Sequence, residues 1–306
     1  MKVIVAAAQF APELVNFDAC VKKAVMIIDD AGRAGARLVV FPEAWILGYT
    51  YWASIGTRDP VFHWFLKKLH SEAGPSDDPR LKPVADAAAR NKIAVSIGIH
   101  ERAGASLYLT QLLFAPDGML ANAHRKLTPT NTERLVWGQG DGSDMKAHDF
   151  GFGRINGLMC FEHQMTLARY ALQSTGEQIH CAAWPGHAFI TPVIDASMRQ
   201  LAHENGCFVV SAREVMSADR LPKDAPGQGG DPDRWRGVGG SSIIAPNATY
   251  VVPPEEEKEM LVVGEIDLAM IGQIKYYFDG VGHYSRPDVF QLRWNDQPKP
   301  PVIKGS

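Results

Sequence analysis

The sequence predicts an α/β protein whose helices cover the faces of β-sheet. Three observations carry the prediction: short apolar runs alternate with segments whose apolar residues recur at helical spacing, the second half of the chain repeats the theme, and turn residues punctuate most of the joins. At 306 residues and 46% hydrophobic content, the chain has material for a substantial core.

The elements follow in order. Val3 to Phe10 is a strand, and residues 16 to 34 place Phe17, Val21, Ala24, Val25 and Ile28 at helical spacing before Gly32 and Gly35. Leu38 to Phe41 reads as strand, residues 80 to 90 as helix and Ile93 to Ile99 as strand. Leu107 to Phe114 and the stretch from Met119 form a hairpin around Pro116-Asp117-Gly118, because Asp-Gly supplies the positive φ of a tight turn. In the second half, Ile155 to Met159, Ile179 to Ala183 and Cys207 to Ala212 are strands. Met165 to Gln173 and Pro192 to Asn205 are the helices between them, the latter stopped by Gly206. Ser241 to Pro246 and Leu261 to Ile266 are expected to complete the sheet, with a turn near Asn247. Leu221 to Gly240, rich in Gly, Pro and Asp, is expected as a loop at the surface or at a subunit contact. Pro253 to Glu257 reads as a solvated acidic turn, and prolines at 287, 298, 300 and 301 keep the C-terminal tail irregular.

Composition narrows the function. A formal charge of −3 without a basic stripe argues against nucleic acid or an anionic membrane surface as a partner. No apolar stretch approaches the roughly 20 residues that span a bilayer. The opening Met1 to Ala8 meets Gln9, Pro12 and Glu13 too soon for a signal peptide and reads as the first strand. Cysteines at 20, 160, 181 and 207 lack the spacing of a zinc site or a disulfide scaffold, so a cytoplasmic location is expected. Cys20, Cys181 and Cys207 read as small buried hydrophobes. His203 and Cys207 lie four apart but have no further ligands nearby, and Gly151-Phe152-Gly153 reads as a hairpin turn; neither a metal nor a cofactor is expected.

Cys160 stands apart. It ends the run from Ile155 to Met159 and precedes Phe161-Glu162-His163 and a helical pattern, so it occupies a strand-to-helix corner. The first-turn peptide N–H groups there are expected to lower the thiol pKa and favour the thiolate. Glu43 follows Leu38 to Pro42 in a similar way, and Lys126 closes Ala121 to Arg125. Together they supply a nucleophile, a base and a cation. Taken singly, each has a plainer reading: a packed cysteine, a capping glutamate and a solvated lysine.

Phe41-Pro42-Glu43, then His124-Arg125-Lys126 with Leu127-Thr128-Pro129-Thr130, then Cys160-Phe161-Glu162, resemble the Glu, Lys and Cys signatures of the nitrilase superfamily in their order and separation. Glu133-Arg134 with Trp137 to Ser143, Leu167 to Leu172, and Gly282 to Asp288 resemble its true nitrilase branch, so the likeness spans nearly the whole chain. That branch usually has Trp after the cysteine, where this chain has Phe161. The resemblance implies a single domain over 1–306 with an irregular tail from 285, folded as a four-layer αββα sandwich extended by subunit pairing. It further implies a homodimer assembling into larger homo-oligomers or helical filaments.

The resemblance also implies hydrolysis of an organic nitrile, with no cofactor, to the acid and ammonia. Glu43 is then the base, Cys160 the nucleophile, and Lys126 with the Phe161 N–H the stabiliser of developing charge. Glu133 is a second carboxylate that holds Lys126 or the substrate. Phe161, Trp184, His187, Tyr49 and Trp52 are candidates for substrate contact, although core packing explains the aromatics about equally well. Glu162 and His163 adjoin the nucleophile and can orient it, and Glu162 can equally cap the following helix. Two rival functions are an amidase on the same scaffold and a filament-forming binding protein without catalysis.

Overall fold

The computed structural model describes residues 1–226, 231–300 and 302. Its first half runs β1 (Lys2–Gln9), α1 (Phe17–Arg33), β2 (Leu38–Val40), α2 (Pro60–Glu72), α3 (Lys82–Asn91), β3 (Ala94–Ala103), β4 (Ser106–Phe114) and β5 (Leu120–Arg125). Then come β6 (His148–Asp149), β7 (Arg154–Met159), α4 (Thr166–Ser174), β8 (Ile179–Trp184), α5 (Thr191–Asn205) and β9 (Phe208–Arg213). The chain ends with β10 (Val215–Met216), β11 (Gly237–Val238), β12 (Ser242–Ile244), β13 (Tyr250–Val252), β14 (Met260–Asp267) and α6 (Ala269–Tyr277).

Local signals explain the helix limits. The Asn16 side chain accepts the Ala19 N–H at 3.1 Å and starts α1. Phe17, Cys20, Val21, Ala24, Ile27, Ile28 and Ala31 then form its buried stripe, each large apolar side chain contributing about 1.5–3 kcal/mol by leaving water. Gly206, at φ +57°, supplies the left-handed residue that stops α5 where the sequence places the stop.

The strands form two six-stranded sheets, ordered β14-β1-β2-β3-β4-β5 and β13-β12-β9-β8-β7-β6, plus the β10-β11 ribbon. Side-chain alternation divides the interior into layers. Val3, Val5 and Ala7 of β1 join Leu38, Val40, Ile155, Ile179 and Val210 in a core between the sheets. Ala6 and Ala8 point the other way, with Val39, Val95 and Ile97, against α1 and α3. On the outer face of the second sheet, Ala182, Trp184 and Val209 pack against Ile194, Met198 and Leu201 of α5. The result is the four-layer αββα sandwich.

Three features depart from the sequence expectations. Helices α2 and α6 were not anticipated, although Asp59 caps α2 at 2.8 Å, Pro60 opens it and Phe62, Phe65 and Leu69 form its buried face. The last two expected strands join different sheets: β12 pairs with β9, whereas β14 pairs antiparallel with β1 along Lys2↔Asp267 to Gln9↔Met260. The loop from Leu221 to Gly240 does not simply lie at the surface. Leu221, Ala225 and Trp235 are buried, Trp235 meets Phe65 at a ring distance of 5.2 Å, and Gly237–Val238 pairs with Val215–Met216. Residues 227–230 of that loop lie outside the described residues. Among the described residues, no helix is long and apolar enough to cross a membrane.

Candidate active site

Strand ends from both sheets converge. Glu43 follows β2, Lys126 follows β5, and Cys160 follows β7. Glu43 sits on a turn pinned to β3: Phe41 N donates to Ser96 O at 2.8 Å, and Ile46 N to Gly98 O at 2.9 Å. Gly98 is required there, since a Cβ would meet Ala44 N at 2.4 Å and Pro42 O at 2.9 Å.

Lys126 is buried between two carboxylates, donating to Glu43 Oε1 at 2.6 Å and Glu133 Oε2 at 2.8 Å. Glu133 is itself fixed: it accepts the Thr130 N–H at 2.6 Å and the Tyr49 hydroxyl at 2.7 Å. Carboxylate oxygens of Glu43 and Glu133 and the Cys160 sulfur lie within 4.8 Å of one another. Such a trio could ligate a metal, but the Lys126 ammonium stands where a cation would neutralise the two carboxylates. Glu43 Oε2 has no hydrogen-bond partner among the described residues, so it is the acceptor left free for chemistry.

Cys160 holds φ at +50°, a left-handed conformation that costs a non-glycine residue about 1–3 kcal/mol and is sustained only by its surroundings. Glu162 supplies part of that support. Its carboxylate accepts the N–H groups of Met159 at 2.8 Å and Leu127 at 2.6 Å and faces His124 Nε2 at 3.1 Å. It thus ties the residue before Cys160 to the residue after Lys126. His124 in turn meets Asp144 through Nδ1 at 2.6 Å.

The electrostatics correct one expectation. Burial and then Glu43 push the Cys160 thiol well above its ordinary value, and Lys126 and the Phe161 N–H pull it down too little to offset them. The resting residue is a thiol, because desolvating a thiolate beside a carboxylate costs more than the first-turn peptides return. Burial likewise raises Glu43, to about 8, against the pull of Lys126. A carboxyl titrating there can take a proton and give it back. Burial opposes the charge on Lys126, but Glu43, Cys160 and Glu133 outweigh it and keep the ammonium protonated.

The candidate contact residues separate. Tyr49 and His187 meet edge-to-face at 5.4 Å, and Tyr49 touches Glu133, which brings both beside the charged cluster. Trp52 lies against Phe62 and Phe65, 5.1 and 5.8 Å away. Trp184 is fully buried, stacked on His163 at 4.8 Å, with Phe161 at its edge 6.2 Å away. Sequence reasoning missed Asp144, Glu177 and His180, and gave His124 no role of its own. A signal existed in two of them: His124 and His180 interrupt apolar strand positions, which calls for buried partners.

Known proteins resemble the chain in sequence and in fold. The carbon-nitrogen hydrolase family matches residues 4–276. An aliphatic nitrilase of Rhodococcus rhodochrous is 37% identical over 315 residues, covering 98% of this chain and 81% of that protein. Nitrilase 2 of Arabidopsis thaliana is 36% identical over 304 residues, covering 93% and 86%. The fold resembles the carbon-nitrogen hydrolase from Helicobacter pylori G27, with TM-score 0.74, 15% identity, and 94% and 97% of the two chains covered. It also resembles the CN-hydrolase superfamily protein XC1258 from Xanthomonas campestris, with TM-score 0.72, 17% identity, and 92% and 96% covered. With a family match over most of its length and curated relatives along nearly all of it, the chain belongs to the carbon-nitrogen hydrolase family.

Proposed function

We propose that the protein is a nitrilase that converts an organic nitrile to the carboxylic acid and ammonia. The observation that carries this reading is Lys126 held between Glu43 and Glu133, beside a cysteine at a left-handed strand end. The curated nitrilases that share more than a third of its sequence support it.

Glu43 removes the Cys160 proton as the sulfur attacks the nitrile carbon, and the proton passes to the nitrogen to give a thioimidate. Lys126 and the Phe161 N–H face the atoms that gain negative charge. Glu43 then takes a proton from a first water as it adds to the thioimidate carbon. It passes that proton to the nitrogen, then carries the second from the new hydroxyl to the nitrogen as ammonia leaves, forming a thioester. A second water, activated the same way, releases the acid and restores the thiol. The tetrahedral intermediate can instead expel sulfur, which yields the amide. A relative from Lupinus angustifolius, 37% identical, is named a bifunctional nitrilase/nitrile hydratase, so the amide product is worth following.

Tyr49 and His187 belong to the substrate wall in this reading, and Phe161 contributes its backbone. The same proposal takes residues 1–306 as one domain, supported by β14 closing the first sheet against β1, with an irregular tail from 285 whose residues 301 and 303–306 lie outside the described residues. A cytoplasmic location is supported by the four unpaired cysteines. Assembly into homodimers and larger oligomers or filaments is supported by the exposed Leu167, Phe189 and Phe290.

The test is incubation of the purified protein with aliphatic, arylaliphatic and aromatic nitriles and their amides, with acid, amide and ammonia quantified beside a Cys160→Ala control. Acid and ammonia from nitriles, absent in the control, are expected. Turnover of amides alone moves the protein to the amidase reading.

A further inference from the structure

Behind Cys160 a line of buried polar groups runs away from the reacting cluster. His163 Nδ1 lies 2.6 Å from the Cys160 carbonyl oxygen, His163 Nε2 lies 3.0 Å from His180 Nε2, and His180 Nδ1 lies 3.0 Å from both Glu177 oxygens. All three side chains are buried, and the His163 ring is stacked on Trp184. Nothing in the reaction described above uses them.

Donor and acceptor counting fixes the protons. A carbonyl only accepts, so His163 Nδ1 carries hydrogen and donates to Cys160 O. A neutral His163 then presents a lone pair at Nε2, which accepts from His180 Nε2–H. A protonated His163 would set two N–H groups against each other, and burial with the neighbouring His180 holds its pKa well below the ordinary range. His180 Nδ1 and Glu177 share the one remaining proton, and the pair is neutral wherever that proton sits. The Cys160 carbonyl therefore sets the direction of every hydrogen bond in the line, and Glu177 meets it from the far end by sharing the proton that leaves His180 Nε2–H free to donate.

The last link matters because of where it ends. The Cys160 C=O and the Phe161 N–H belong to one rigid peptide plane, and that N–H is the donor directed at the sulfur. Donation to the carbonyl orients the plane and polarises its N–H. We propose that Glu177 and His180 are positioning residues that lock His163 in one tautomer, and that His163 thereby aims the Phe161 N–H at the anion formed in the reaction.

The proposal rests on Cys160 being the nucleophile, and its test is read in two independent ways on the full-length protein. One is the rate of Cys160 alkylation by iodoacetamide, followed by peptide mass spectrometry with Cys160→Ala as the blank. The other is kcat and KM on a nitrile. His163→Leu, which keeps bulk but has no donor, is expected to slow alkylation and kcat by about 10- to 100-fold at unchanged KM. That is less than the roughly 10²–10³ lost when an oxyanion donor is removed outright, because the Phe161 N–H is still present. His163→Asn, whose amide N–H can reach the same carbonyl, restores most of the rate. Glu177→Gln and His180→Leu each lower it about 3- to 10-fold, the range of one hydrogen bond's net contribution.

Thermal denaturation identifies the folded variants. Wild-type reactivity in folded His163→Leu, or equal loss in the Leu and Asn variants, overturns the proposal, as does wild-type reactivity in folded forms of both outer variants. A wild type that hydrolyses no nitrile overturns the nitrilase reading alone, since the alkylation rates still decide the role of His163.

Discussion

Lys126 Nζ donates to Glu43 Oε1 at 2.6 Å with neither side chain reached by solvent. A buried ion pair of this kind adds little net stability, and removal of one partner leaves the other charge uncompensated at a cost of about 3–5 kcal/mol. Glu43→Gln avoids that penalty in part, because its amide oxygen still accepts from Lys126. The variant is expected to fold with a melting temperature near that of the wild type and to lose about 10²–10⁴ in kcat, the worth of a general base. Unimpaired hydrolysis by the folded variant would remove Glu43 from the mechanism.

The pH profile follows from the same residue. Glu43 is raised to about 8 by burial, against Lys126, and only its ionised form can accept the thiol proton. kcat/KM for a nitrile should therefore climb with pH along an acid limb centred near 8, an apparent value that belongs to the Glu43, Lys126 and Cys160 cluster as a unit. A flat profile through that range contradicts the assignment of the base.

His124 predicts a stability window. Burial disfavours its charge, but Glu162 and Asp144 outweigh burial and hold its pKa well above 6.5. The stabilisation is complete below the unfolded value of 6.5 and is lost as pH rises through the higher folded value. Glu162 is depressed, because His124 and the Leu127 and Met159 N–H groups overcome burial, so its share is present above 4.5 and lost as pH falls through its folded value. His124→Phe leaves two carboxylates unpaired and should cost about 3–5 kcal/mol in urea denaturation. The gap from wild type should narrow at alkaline pH; a gap that stays constant there counts against an imidazolium.

Gly98 offers a purely geometric test. A methyl at this position runs into Ala44 N and Pro42 O, so Gly98→Ala must lift the turn that carries Glu43. Overpacking of this sort costs about 1–3 kcal/mol, and a displacement on the order of 1 Å can lower the rate by about 10²-fold. Loss of kcat at temperatures where the variant is fully folded is the expected result; normal turnover there shows that the turn can yield.

Some of this was legible along the chain and some was not. Alternation of apolar runs and the Gly206 stop are local patterns, and they placed most strands and helices within a residue or two. The corner position of Cys160 was equally local, and the structure adds that the corner is left-handed. Helix α2 carried a readable cap and apolar stripe, but its aromatics continue those of Tyr49 to Trp52 and blurred the period.

What the sequence determined by itself was most of the long strands and helices, the αββα family resemblance and the residues that carry a thiol, two carboxylates and an ammonium. The tertiary structure decided their protonation and their partners. Cys160 is a thiol and Glu43 titrates near 8 because strands from two sheets enclose them together, and desolvation depends on everything that surrounds a charge. The same holds for Tyr49 against Glu133, 84 residues apart, and for His180, which reaches His163 only when β7 and β8 lie side by side. Residue type is written locally; the electric environment that gives it a role is assembled from distant parts of the chain.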